Sequence, residues 1–389
     1  MPKGRKGNDM LTKEMEQYVS GHVEELKQFI RDLAPIPAPS HHEDKRVEWV
    51  KAWMEAQGAE GVFVDEAKNV IWPYHVTEDN DLLVVMAHTD VVFPDTTPLP
   101  FREDEKYFYC PGVGDDTARL ATLMVSAKYF VQNRKTPKMG ILFIANSCEE
   151  GLGNSLGAQT VLKNYMPRIK YFVSNDGGLD SIVNRAVGSH RYHITVTTIG
   201  GHSWGAFGNP NAIYELSDLL HDLYAFPIPV KENAKTTRNV GTIQGGTSVN
   251  TIAQKAECLF EYRSDDEECL AYMEKNFREI VGKHQGAGNA EFTVDLVGNR
   301  PCGMAGERAE QKALEQIAEE THMEITGRKL NYHSGSTDAN FPLSYGIPAV
   351  TIGSCTSFGT HTREEYLELA SLEPGFRYFM NFLARFFED

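Results

Sequence analysis

The sequence predicts an α/β fold: a mostly parallel sheet covered by helices, with a smaller α+β domain of the ferredoxin-like type inserted into it. Three observations carry this. Helix and strand patterns alternate from about residue 40 to residue 176, as in the β–α units of a parallel sheet. The run at residues 141–145 is apolar with little alternation, which fits a strand covered on both faces. From about Gly188 the pattern changes, and helix–strand alternation returns only after "GNRPCG".

The elements follow in order. An amphipathic helix is expected over residues 12–33, broken by the prolines of "APIPAPS". A second helix starts near Ser40, with Glu43 placed to complete a capping box, and runs to about Gln57. "GVFVDE", "NVIWPYH" and "DLLVVMAHTD" read as strands. The helix "ARLATLMVSAKYFVQN" leads to strand 141–145. The helix "LGAQTVLKNY" leads to the strand "KYFVSND". The inserted part reads β–α–β–β–α–β: "HRYHITVTTI", a helix from "NPNAI", "NVGTIQGG", "AECLFEYRS", the helix "CLAYMEKNFREIVGKH" and "AEFTVDLV". Then come "AEQKALEQIAEETH", "PAVTIG" and a last helix. The expected domains are 1–187 with 301–389, and 188–300.

Composition excludes some partners. A chain of 389 residues is comfortable for two domains. The net charge of −16 argues against nucleic acid or an anionic membrane, since phosphate binding needs basic patches. The basic "MPKGRKGND" reads as a short solvated tail. No apolar run is long enough to span a bilayer and no signal region follows the basic start. Six scattered cysteines form no CxxC pair and read as free thiols of a cytoplasmic protein.

Ligand-type residues collect at the strand ends. "LLVVMA" delivers His88 and Asp90, "ILFIAN" delivers Glu149 and Glu150, and "YFVSN" delivers Asp176. "PAVTIG" leads into a loop carrying His361, and "GVGDDTA" places Asp115 and Asp116 just before a helix. In open parallel sheets, sites form outside the carboxyl ends of the strands. Histidines and carboxylates without cysteine suit zinc or a similar first-row ion. His88 and Asp90 share a strand face by the period of two. Asp90 could then hold the far nitrogen of a metal-bound His88. Two adjacent glutamates repel unless a cation or a proton intervenes.

These motifs, with "CEEGLGN", "SNDGG", "GGHSWGAFGNPNAI", "GGTSVNTIAQKAE" and "STDANFPLSYGIPAVTIG…HTREEY", occur in a known order. The chain resembles the dizinc metallopeptidases: peptidase T, carboxypeptidase G, aminoacylase and succinyl-diaminopimelate desuccinylase. The C-terminal motif is most similar to the peptidase T-like branch. The resemblance implies that His88 and Asp176 bind one zinc, Glu150 and His361 the other, and Asp115 bridges them. Many relatives have lysine two positions after that aspartate, where this chain has Thr117, so Asp116 stays a rival to Asp115. It implies Asp90 as the support of His88, Glu149 as general base, and cobalt or manganese as substitutes for zinc. It implies a homodimer through the inserted lid domain. His202, Asn250 and Arg263 match its substrate-side group, and Arg300 could clamp a substrate carboxylate.

Bland readings stand beside these. Arg263 could pair only with neighbouring acids, and Arg300 could sit at a domain joint. His190 and His193 read as structural. "GLGNSLG" imitates a dinucleotide-binding loop, but Glu149 and Glu150 stand where a pyrophosphate must approach, so an NAD-dependent dehydrogenase is the remote alternative. The expected activity is cleavage of short peptides from the amino end. The alternative is an amidohydrolase, carboxypeptidase or deacylase acting on an N-acyl amino acid.

Overall fold

The structure is a computed structural model describing residues 13–286, 290–304, 306 and 308–388. The basic stretch at residues 1–9, expected as a tail, lies outside the described residues. The chain forms two compact units, Met1–Asn184 with Met304–Asp389, and Arg185–Gly303.

The first unit is built on an eight-stranded sheet. Its order is Phe63–Val64, Val70–Tyr74, Gly140–Asn146, Leu82–His88, Ile169–Asn175, Ala349–Ile352, Ser181–Ala186 and Asn331–Gly335. Leu82–His88 is buried at every residue and runs parallel to both Gly140–Asn146 and Ile169–Asn175. Ala349–Ile352 runs parallel to Ile169–Asn175. These four strands therefore end at one edge: His88 is opposite Asn146, and Asn175 is opposite Ile352. Full burial explains the missing alternation, because helices cover both faces of such a sheet. The helix Lys13–Leu33 turns Val19, Leu26, Phe29, Ile30 and Leu33 into this core. Those spacings of three, four and seven make one apolar stripe.

A small antiparallel sheet of the same unit joins Ser357–Phe358, Tyr366–Glu368, Tyr107–Tyr109 and Arg102–Glu103. Its first two strands pair as a hairpin, whose loop carries His361.

The second unit has a four-stranded antiparallel sheet in the order Thr236–Gly245, Lys255–Ser264, Gly188–Thr197 and Glu291–Arg300. With helices Ala212–Ala225 and Glu267–Gly286 this is the ferredoxin-like arrangement. Along Lys255–Ser264 every second residue is buried: Ala256, Cys258, Phe260, Tyr262 and Ser264. Phe260 packs with Phe277 of the second helix in the unit's core.

The second helix differs from expectation. It begins at Asp44, not near Ser40, and no capping box forms. Glu43 instead accepts the N–H groups of His41 and Cys148, and Ser40 donates to Asp90. Both side chains serve long-range contacts, which outcompete a local cap. The strands Ser181–Ala186 and Asn331–Gly335 were not expected. The latter lies at the sheet edge and exposes its first three residues, so it carries no apolar signal. All six cysteines are free and buried. Among the described residues no helix is long and apolar enough to cross a membrane.

Candidate metal centre

The parallel edge of the sheet gathers the expected side chains. His88 ends its own strand, and its Nε2 lies 3.0 Å from Asp115 Oδ1 and 3.9 Å from Asp176 Oδ1. His361 Nε2 lies 3.2 Å from Asp115 Oδ2 and 3.1 Å from Glu150 Oε1. One aspartate thus turns its two oxygens to two imidazoles from opposite ends of the chain. Asp116 is placed differently. It is fully buried, and its Oδ2 accepts the backbone N–H of His88 at 2.9 Å. Among the described residues, three groups have ligand atoms all within 4.8 Å of one another: His88, Asp116 and Asp176; His88, Glu149 and Glu150; and Asp115, Glu150 and His361.

Asp90 lies beyond the strand end, so the shared strand face expected for it and His88 is not what pairs them. The nearest acceptor to His88 Nδ1 is the Asp90 backbone carbonyl at 3.0 Å, with the carboxylate at 3.5 Å. The carboxylate holds the glutamates instead. It accepts the N–H of Glu149 at 3.0 Å, the N–H of Glu150 at 2.9 Å and the Ser40 hydroxyl at 2.7 Å.

Electrostatics mark the cluster as short of positive charge. Burial pushes the Glu150 carboxyl up to about 7, with the Asp115 charge adding to it. Burial also holds Asp176 well above the usual carboxylate range, helped by Asp116 and Asp115. Asp115 goes the other way. Burial would raise it, but hydrogen bonds from His361 and His88 hold it below that range. Asp115 and Glu150 together raise the His361 imidazole to about 10. Protons and a divalent cation compete for these same lone pairs. Imidazole and carboxylate donors without a thiolate, and one carboxylate, Asp115, facing both imidazoles, fit a pair of first-row ions.

Four supporting residues escaped sequence reading: Ser40, Arg46, Arg119 and Glu365. Arg46 is fully buried and donates to the carbonyls of Ala34, Ile36 and Thr89 and to the Thr117 hydroxyl. The positively charged side chain beside Thr117 thus comes from another element. Arg119 donates to Gly114 O and Gly177 O, next to Asp115 and Asp176. Glu365 accepts from the loop before Asp115. Glu365 lies in "HTREEY", yet no local pattern names its partners.

A family model described as peptidase family M20/M25/M40 matches residues 84–385. The chain belongs to this family. It is therefore a hydrolase of the family that acts on peptide or amide bonds. A succinyl-diaminopimelate desuccinylase of Hydrogenovibrio crunogenus is 25% identical, over 76% of this chain and 81% of that protein. A tripeptidase from Staphylococcus aureus has the same fold, with a TM-score of 0.73 and 21% identity over 93% of this chain and 99% of that one. A Bacillus subtilis protein described as a dinuclear metal binding peptidase of the M20 family gives a TM-score of 0.61 at 17% identity, covering 94% of this chain and 98% of that one.

The other expected residues lie in the second unit. His202 is exposed, and its Nδ1 accepts the N–H groups of Trp204 at 3.2 Å and Gly205 at 3.3 Å. That leaves Nε2 as the protonated, donating nitrogen. Asn250 is exposed and its Oδ1 accepts from Ser248. Arg263 makes two hydrogen bonds to Glu261, at 2.8 and 3.0 Å, and Arg300 is buried. His190 bonds the Tyr262 hydroxyl inside the unit, and His193 faces Glu257.

Proposed function

We propose that the protein is a two-zinc aminopeptidase that removes residues from short peptides such as tripeptides. The observation that carries this is Asp115, whose carboxylate faces both His88 and His361, while Glu149 groups with His88 and Glu150. His88, Asp115 and Asp176 would hold one ion, and Asp115, Glu150 and His361 the other, with cobalt or manganese able to substitute. When bound, such ions polarise the scissile carbonyl and make water acidic. Glu149 takes the proton from the attacking water and delivers it to the leaving amine. Asp90 fixes the backbone of both glutamates, so the base and its ligand neighbour keep their spacing. His202, with Nε2 free to donate, stabilises the charge that develops on the carbonyl oxygen.

The second unit would act as lid and dimerisation domain, giving a twofold homodimer. Its strand Thr236–Gly245 is at a sheet edge, and Trp204, Phe207 and Val249 are almost fully exposed. A sheet edge and exposed apolar side chains in the neighbouring loops each favour association with a second copy. Arg191, Arg263 and Arg300 stand close together with Glu261: burial first, then the neighbouring guanidinium charges, lowers Arg191. Asn250 and Arg263, the most exposed arginine of this patch, would receive a substrate carboxylate, with the buried Arg300 behind them. Free buried thiols support a cytoplasmic location.

The desuccinylase likeness favours a second reading, an amidohydrolase or carboxypeptidase releasing an amino acid from an N-acylated substrate. A panel of free tripeptides, N-blocked tripeptides and N-acetyl and N-succinyl amino acids separates the two. Free tripeptides should be cleaved fastest by metal-loaded enzyme. Faster turnover of an N-acyl amino acid would replace the first reading with the second.

A further inference from the structure

The peptide group joining Gly114 to Asp115 is held at both ends by charged side chains. Its N–H, on Asp115, donates to Glu365 Oε1 at 2.9 Å. Its carbonyl, on Gly114, accepts from the Arg119 guanidinium. Glu365 also accepts the N–H of Gly114 at 2.9 Å and that of Gly112 at 2.7 Å. It is 1% exposed, and its own carbonyl accepts the N–H of Cys110. Both oxygens of one buried carboxylate are thus spent on three backbone donors.

The loop leaves no room for side chains at its glycines. A side chain at Gly114 would place its Cβ 2.2 Å from Ser357 Cβ, on the first strand of the hairpin that carries His361. Gly112 has φ 75°, and a Cβ there would meet Val91 Cγ1 at 2.3 Å. The backbone is pressed against the hairpin where Glu365 can reach it. Orienting the peptide plane before Asp115 sets where its Cβ, and so its carboxylate, points. Arg119 adds a second tie, because it also donates to Gly177 O beside Asp176, at 2.5 Å.

We propose that Glu365 and Arg119 are positioning residues that clamp the Gly114–Asp115 peptide and so aim the Asp115 carboxylate between His88 and His361. This rests on the metal-centre reading above, since its purpose is to preset a shared ligand. Groups that orient ligands typically change metal affinity by about 10- to 100-fold when altered.

The test uses E365Q, which keeps size but offers one acceptor oxygen and turns an NH2 group toward backbone donors. Leu367→Ala is the control: Leu367 is buried in the adjoining strand and touches neither end of the clamp by hydrogen bond. In metal-free protein, amide hydrogen exchange at Gly112, Gly114 and Asp115 should quicken at least about 10-fold in E365Q, against little change in L367A. Cobalt titration should then show E365Q binding at least one ion about 10- to 100-fold more weakly than wild type, with a changed visible spectrum, while L367A binds like wild type. Arg119→Lys, at the other end of the same peptide, should weaken cobalt in the same direction and serves if E365Q does not fold. Unchanged exchange, or equal effects of E365Q and L367A, overturns the clamp. Quickened exchange in a protein that binds no cobalt even as wild type would keep the clamp and sink the metal-centre reading instead.

Discussion

Glu149 and Glu150 leave the same buried strand, Asp90 holds both of their N–H groups, and Glu150 Oε1 lies 3.1 Å from His361 Nε2. Their substitutions should therefore part company. Glu149→Gln should lower kcat by roughly 100-fold or more, the scale of general acid–base catalysis, with metal content nearly unchanged. Glu150→Gln should lose metal first. Steady-state rates with elemental analysis check this, and swapped phenotypes would reverse the assignment. Proton competition gives a second test. Glu150 is raised from 4.5 to about 7, so the folded metal-free protein takes up a proton and loses stability as pH rises through that window. His361 is raised from 6.5 to about 10, so its contribution is present below 6.5 and lost as pH rises to 10. Both slopes have the same sign, and bound metal replaces both protons. The Tm gap between zinc-loaded and stripped protein should widen from about pH 5 to about pH 9. A gap that narrows would contradict the linkage. The ligand-type side chains at the strand ends could be read from sequence because strand ends and residue type mark them. Ser40, Arg46 and Glu365 could not, because they act on backbone or side-chain atoms 50 to 253 residues distant or on carbonyls with no residue-specific signature.

At the scale of elements, the helix Asp44–Ala56 is tied to the site by Arg46 alone among its buried charged residues. Its guanidinium satisfies three backbone carbonyls, and each buried polar group left without a partner costs about 1–3 kcal/mol. Arg46→Met should destabilise the protein by roughly 3 kcal/mol or more, measured by urea unfolding, and should loosen the Thr89 backbone and the Thr117 side chain. A change under about 1 kcal/mol would mean that water replaces the side chain. The parallel strands were legible because full burial writes continuous apolar runs. The start of this helix was not, since Ser40 and Glu43 have the spacing of a local cap but are recruited by Asp90 and Cys148. Asn331–Gly335 was hidden by its exposure at the sheet edge.

For the whole molecule, the change of pattern near Gly188 was readable because two-residue alternation replaces continuous runs. The expected homodimer rests on the resemblance and not on any pattern of residues, since an exposed edge strand names no partner by itself. If His202 serves a neighbouring subunit, His202→Ala should lose kcat and keep its metal. Mixing it with Glu149→Gln protein under subunit exchange should restore activity, because each mixed dimer holds one site with both groups intact. No rescue despite proven exchange, or a fully active monomer, would remove the donation between subunits.

The position of Ala349–Ile352 has a consequence for synthesis. It is the last strand of the large sheet to leave the ribosome, yet it belongs in the interior, between Ile169–Asn175 and Ser181–Ala186. Until it arrives, the growing chain carries a gap with unpaired backbone on both flanks, the kind of surface that other chains and chaperones capture. The second unit, made meanwhile from one continuous stretch, has its own core and needs none of the missing residues. A chain truncated at residue 345 should therefore show protease resistance confined to about residues 185–303. Newly made protein becomes competent only when its final turn of sheet drops into place, so premature termination yields a half-built and adhesive product.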